Sequence, residues 1–94
     1  MELYKSDKPT KRFLAIYEDK KYYFGQPNAY TFIDGADELV RENYWKRHYA
    51  NPTEKYRIDN IIPSPSLFSA YILWNTDDIY KNVRILNKLL KKEL

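Results

Sequence analysis

Few residues in this 94-residue chain could do chemistry, and they are scattered along it. The single histidine, His48, follows Arg47 inside the run Tyr44-Trp45-Lys46-Arg47-His48. Acid–base or nucleophilic work at His48 would need a carboxylate or hydroxyl partner held beside it. A metal there would need further ligands, carboxylates such as Asp34 or Asp37, because the chain has no second histidine and no cysteine. The lack of cysteine also excludes a disulfide scaffold and any thiolate site. Asp77-Asp78 has the form of a paired acid site, but it lies just after Asn75-Thr76, where acids stabilise the first turn of a helix. Gly25 and Gly35 are the only glycines, so neither GxxxxGK[ST] nor GxGxxG can occur, and GxSxG and HExxH are absent as well. The reading is a protein that is not an enzyme, with no catalytic residue, no metal ligand and no cofactor.

Residues suited to binding are more numerous. Lys20, Lys21, Tyr22 and Tyr23 are consecutive, and on a strand the two tyrosines face opposite sides. An exposed tyrosine beside lysines can stack on a base or anchor a protein interface, or can simply sit on a solvated hairpin face. Arg47 and His48 offer a second polar contact. The net charge is only +3, but Lys81, Arg84, Lys88, Lys91 and Lys92 are opposed in the last segment by Glu93 alone. Lys88, Lys91 and Lys92 are therefore candidate binding residues. Three readings of this basic segment stay open: a solvated face of a docked helix, a set of phosphate contacts, or a membrane-surface helix.

The elements that must position these residues follow from hydrophobic pattern. Residues 1–12 alternate charge around Pro9 and read as a flexible basic and polar arm. Residues 13–17 and 22–24 read as strands around the polar turn 18–21, a β-hairpin that needs a packing partner. A helix is expected from a cap at Asp34 to about Tyr49, with Leu39, Val40, Tyr44 and His48 inward and the pairs Asp37–Arg41 and Glu42–Lys46 outward. Pro52 ends it, and residues 51–63 are expected to be irregular, pinned by Ile58, Ile61 and Ile62. Ser64 and Pro65 match the N-cap and first position of a short helix carrying Leu67, Phe68, Tyr71 and Ile72. Asn75 or Thr76 caps the last helix, with the stripe Ile79, Val83, Leu86 and Leu90. This gives residues 13–94 as a single α+β domain, a hairpin packed against about three helices. The expected core is Leu14, Ile16, Phe24, Leu39, Val40, Tyr44, Phe68, Ile72, Trp74, Val83 and Leu86.

Four short stretches in this order carry a resemblance: Phe24-Gly25, Tyr30-Thr31, Tyr44 with Arg47-His48, and Leu73-Trp74-Asn75, with Asn51-Pro52 and Ser66 or Ser69 between. Together they resemble an uncharacterised family of small proteins from nucleocytoplasmic large DNA viruses, over most of the chain. The chain departs from that pattern at Phe32-Ile33, where a His-Lys pair is usual, and at Thr76-Asp77, where Lys-Pro is usual. Arg41 also falls out of the usual register with Tyr44.

The resemblance implies a viral protein without an assigned reaction, working in the cytoplasmic virus factory and the virion of its host. The expectation is a non-enzymatic structural or interaction protein, a minor capsid-associated or internal component whose partners are other viral structural proteins. The alternative is a sequence-indifferent nucleic-acid binder using the basic C-terminal helix. Ten tyrosines, two tryptophans and four phenylalanines suit a contact surface. No apolar run is long enough to span a bilayer and the first twelve residues are too polar for a secretory signal, so a soluble intracellular protein is expected.

Overall fold

The computed structural model describes residues 1–92, and of Lys92 its backbone only. Strand β2 (Phe13–Tyr17) turns into β3 (Lys20–Phe24) through Glu18 and Asp19 alone. Both turn residues are left-handed, at φ 52° and 65°, the geometry of a two-residue turn that matches strand twist and usually takes Asn-Gly. Phe13 pairs with Phe24 and Ala15 with Tyr22, which puts their side chains on one face. That face meets the helices: Phe13 stacks on Phe24 at 5.8 Å, and Tyr22 and Phe24 contact the Phe68 ring at 5.2 and 6.0 Å.

Residues 1–12 are not a free arm. Glu2–Lys5 forms strand β1, antiparallel to β2 and on the sheet's outer edge, in the order β1-β2-β3. Leu3 lies opposite Ala15 and packs on the core, while Glu2, Tyr4 and Lys5 stay exposed. The connection is tied down too. Arg12 makes a bidentate ion pair with Asp34 at 2.6 and 2.7 Å, and Asp34 also accepts from the N–H and hydroxyl of Thr31.

The first helix differs from expectation in its start. Thr31 and Asp34 close a capping box around a 3-10 turn (Phe32–Asp34), and left-handed Gly35 ends it. Helix α1 (Glu38–Tyr49) then starts at Asp37, whose carboxylate caps the Val40 N–H. Its inner face is Arg41, Tyr44, Trp45 and His48, at i, i+3, i+4 and i+7 spacing. Leu39 and Val40 are 63% and 43% exposed and belong to no core. Arg41 pairs with Glu38 rather than Asp37, and among the described residues Glu42 and Lys46 make no ion pair.

Residues 51–63 contain a helix. Asn51 caps α2 (Pro52–Asp59) by accepting from Thr53 and Glu54, with Pro52 at the first position. It closes with Ile61 N–H on the Ile58 carbonyl and Ile62 N–H on the Arg57 carbonyl. That closure puts Ile61 at φ 53°, a place normally taken by glycine. Ile58 and Ile61 are buried, as expected of pinning residues.

Ser64 caps α3 (Pro65–Phe68) through the Leu67 N–H, and the chain continues as a wider π-helical turn, Ser69–Leu73. Helix α4 (Ile79–Lys92) is capped two or three residues later than expected. Asp78, not Asn75 or Thr76, accepts from the N–H groups of Tyr80 and Lys81. Leu86 and Leu90 are buried as expected, whereas Ile16, Ile79 and Val83 are half-buried. Leu14, Phe24, Tyr44, Phe68, Ile72 and Trp74 are buried in agreement with the sequence. The architecture is one α+β domain, a three-stranded antiparallel sheet with four helices, and Glu93 and Leu94 of the expected domain lie outside the described residues.

Candidate functional site

Strand β1 has one edge on β2 and one edge open. The Ser6 N–H donates to the Arg12 carbonyl, and antiparallel pairing alternates from there. Tyr4 and Glu2 therefore direct their backbone groups to β2, and Leu3 and Lys5 direct theirs outward. Helix α4 packs across the sheet face that carries Leu3, Lys5 and Phe13. It closes on the strand at one end, where the Asn87 amide donates to the Met1 carbonyl at 3.2 Å. At the other end the two elements part and leave a groove of about 480 Å³, lined by Leu3, Lys5, Phe13, Ile79, Val83 and Arg84, with Tyr4 and Tyr80 at its rims. Tyr80 is 75% exposed. An open strand edge beside an apolar floor is the geometry into which an extended peptide can add as a further strand.

Two cations, Lys5 and Arg84, line this groove, and Arg84 belongs to a longer basic row on α4. Lys81, Arg84, Lys88 and Lys91 are exposed and spaced by three, four and three residues, which puts them on one side of α4. None of them, nor Lys5, is ion-paired among the described residues. Lys92 closes the helix, and its side chain lies outside the described residues.

The other candidates fall elsewhere. Lys20 and Lys21 are exposed at the hairpin end. Tyr22 packs against Phe68, and Tyr23 donates to Asp7 at 2.8 Å beneath the Lys8 ammonium, 4.1 Å from its ring. The Asp7 hydrogen bond holds the Tyr23 phenol above its ordinary pKa. Neither tyrosine stands free, and neither joins the α4 stripe.

Arg47 and His48 line a separate cleft of about 270 Å³. With them are Lys11, Gly25, Thr31, Tyr44, Ser69, Leu73 and Trp74, so the stretches Phe24-Gly25, Tyr30-Thr31, Arg47-His48 and Leu73-Trp74 meet in one place. Tyr44 stacks on Trp74 at 4.6 Å and on His48 at 4.1 Å, and donates its hydroxyl to Ser69 Oγ at 3.0 Å. Burial pushes the Tyr44 phenol above its ordinary pKa. His48 Nδ1 lies 3.1 Å from Glu54 Oε1. Glu54 is thus a carboxylate partner of the kind that acid–base work would need, and among the described residues no hydroxyl is hydrogen-bonded to the ring. Among the described residues no three His, Cys, Asp or Glu side chains come together as a metal site.

Sequence reasoning missed Lys11 and the whole groove. Lys11 sat in a segment read as an arm. The groove needed β1, whose only inward signal is Leu3 between charged and polar neighbours.

Residues 1–48 match a family of unknown function (DUF5754). Over 80 residues the chain is 40% identical to an uncharacterised protein of Acanthamoeba polyphaga mimivirus, an alignment spanning 79% of this chain and 80% of that protein. No solved structure matches.

Proposed function

The chain belongs to this uncharacterised giant-virus family, and from that premise we propose that it is a non-enzymatic interaction protein of the viral particle. Its partner is another viral structural protein, bound as an extended acidic segment along the open edge of β1. One observation carries the reading: an unpaired strand edge with an apolar groove at β1 whose lining includes two cations without ion pairs among the described residues, Lys5 and Arg84. Backbone hydrogen bonds from Leu3 and Lys5 would supply affinity. Apolar side chains on alternate positions would enter between Leu3 and Val83, and carboxylates would meet Lys5 and Arg84. Among the described residues no helix is long and apolar enough to cross a membrane.

The test places a photo-crosslinking phenylalanine analogue at Tyr80 of the protein expressed during infection. A crosslink to one viral structural protein in purified particles, lost on Val83→Glu, is expected. Absence of the protein from washed particles, or a crosslink indifferent to Val83→Glu, refutes the proposal.

The second reading, sequence-indifferent nucleic-acid binding, is favoured by the row of Lys81, Arg84, Lys88 and Lys91. Fluorescence anisotropy with short duplex and single-stranded DNA separates the two. Micromolar binding at about 50 mM salt that collapses at about 200 mM supports phosphate contact. No binding at low salt removes that reading.

A further inference from the structure

We propose that the cleft at Lys11, Arg47 and His48 is a binding pocket for a phosphate monoester. It shares no lining residue with the groove at β1 and does not rest on the function proposed above. Three elements build it. The connection before β2 brings Lys11, the end of α1 brings Tyr44, Arg47 and His48, and the π-helical turn brings Ser69 and Leu73.

The chemistry of the lining favours an anion. Neither Lys11 nor Arg47 is ion-paired among the described residues, and no aspartate or glutamate lines the cleft. Glu54, outside the lining, meets His48 Nδ1 and the Ser66 hydroxyl through Oε1, which leaves Nε2 as the ring nitrogen for a ligand. Ser69 Oγ accepts the Tyr44 hydroxyl proton, so its own O–H remains to be donated. Three donors of different length thus line one space, an ammonium, a guanidinium and a hydroxyl, and His48 Nε2 becomes a fourth where both ring nitrogens carry protons. A tetrahedral oxyanion uses such a set fully.

The size and the rings narrow the ligand. A cavity of about 270 Å³ holds a phosphoryl group with a small substituent. A stacked nucleobase has no place. Trp74 and His48 lie at 4.6 and 4.1 Å from the Tyr44 ring, and two rings at that spacing cannot share one face, so both faces of Tyr44 are covered. Trp74 itself is buried. Two cations without ion pairs in one lining match a monoester dianion better than the singly charged diester of a nucleic-acid backbone.

The experiment follows backbone amide resonances of isotope-labelled protein at fixed ionic strength, titrated separately with inorganic phosphate, O-phosphoserine and short single-stranded DNA. Phosphate and phosphoserine are expected to shift the amides of Gly25, Thr31 and Ser69 saturably. A stronger phosphoserine response identifies a phosphorylated side chain as the source, and an equal one identifies the free anion. Arg47→Gln and Lys11→Gln, both on exposed side chains, should each weaken binding about tenfold. Lys88→Gln with Lys91→Gln should leave it unchanged. Shifts that do not saturate, or that the α4 pair weakens as much as Arg47→Gln does, overturn the pocket. DNA moving the same three amides at lower concentration than phosphate overturns the monoester assignment.

Discussion

Asp34→Asn is the sharpest test of how the cleft wall is held. In the wild type Asp34 Oδ2 accepts from Arg12 Nη1 at 2.7 Å, Thr31 N–H at 2.9 Å and Thr31 Oγ1 at 2.7 Å, and Oδ1 accepts from Arg12 Nη2 at 2.6 Å. Asparagine can keep an oxygen at the first position, but its NH₂ then faces Arg12 Nη2, donor against donor. The two Thr31 bonds become neutral, the Arg12 Nη1 bond keeps only the charge of its donor, and the fourth becomes a clash. Hydrogen bonds to charged groups contribute about 1.5–3 kcal/mol and exposed ion pairs less than about 1. With the two side chains 22% and 26% exposed, the substitution should cost about 2 kcal/mol, a fall of roughly 8–16 °C in melting temperature for a domain of this size.

The pH dependence separates charge from shape. Hydrogen bonds from Arg12, and behind them those from Thr31, hold the Asp34 carboxyl well below the usual carboxylate range. A depressed folded-state pKa contributes stability that is present above the unfolded value of about 3.9 and is lost as pH falls through the folded value. Urea unfolding of both proteins between pH 7 and pH 2 should therefore show a constant gap at neutral pH that narrows below about pH 4. An equal gap at pH 7 and pH 2, or no gap at pH 7, would refute the network as the cause.

Three further outcomes follow from single observations. Replacing Glu18-Asp19 by Asn-Gly should raise the unfolding free energy by about 1 kcal/mol, since both residues now hold positive φ without the side chains that favour it; a lower urea midpoint would show that the turn is not strained. Asn82→Ala should cost about 3 kcal/mol by urea unfolding, because the fully buried amide satisfies the Ile72 and Thr76 carbonyls and the Thr76 N–H and hydroxyl, and a loss under about 1 kcal/mol would contradict that role. Tyr80→Ala should change stability by less than about 0.5 kcal/mol, its ring being 75% exposed, yet reduce incorporation into particles, and unchanged incorporation would count against the groove.

The parts legible in the sequence were those where one local signal decides. Strands β2 and β3 show as apolar runs, and Ser64-Pro65 marks a helix start by cap chemistry alone. The amphipathic stripe of α4 is equally plain. What stayed hidden had its local signal replaced by a tertiary one. Helix α2 ends on Ile61 in a left-handed conformation, where a reader expects glycine, and the strain is offset by burying the side chain. Strand β1 offers Leu3 as its one clearly inward residue, and it exists because β2 needs a second neighbour. In α1 the inward positions are Arg41, Trp45 and His48 beside Tyr44, so the apolar Leu39 and Val40 misled. The cleft could be anticipated only as separate short stretches, since the contacts joining Lys11, Arg47 and Ser69 are remote in the chain.

The inward polar residues of α1 have a reason that also explains Asn82. The helical segment running from Pro65 through the π-helical turn ends at Leu73, and a helix end exposes carbonyls that its own backbone cannot satisfy. Here side chains from two other helices satisfy them. Arg41 Nε donates to the Trp74 and Asn75 carbonyls at 3.0 and 2.8 Å, Trp45 Nε1 donates to the Trp74 carbonyl at 2.8 Å, and Asn82 Nδ2 donates to the Ile72 carbonyl at 2.9 Å. An apolar residue at position 82 would leave the Ile72 carbonyl without its side-chain donor, at a cost of about 1–3 kcal/mol. One at position 41 would take the donor from the Asn75 carbonyl, while the Trp74 carbonyl keeps one donor if either Arg41 or Trp45 is lost. The same three donors fix α1 and α4 against one short segment. Arg47 and His48 in the cleft and Val83 and Arg84 in the groove thus take their positions from a common helix terminus. A substitution at Arg41 or Asn82 should therefore disturb both the groove and the cleft, although neither residue lines either one.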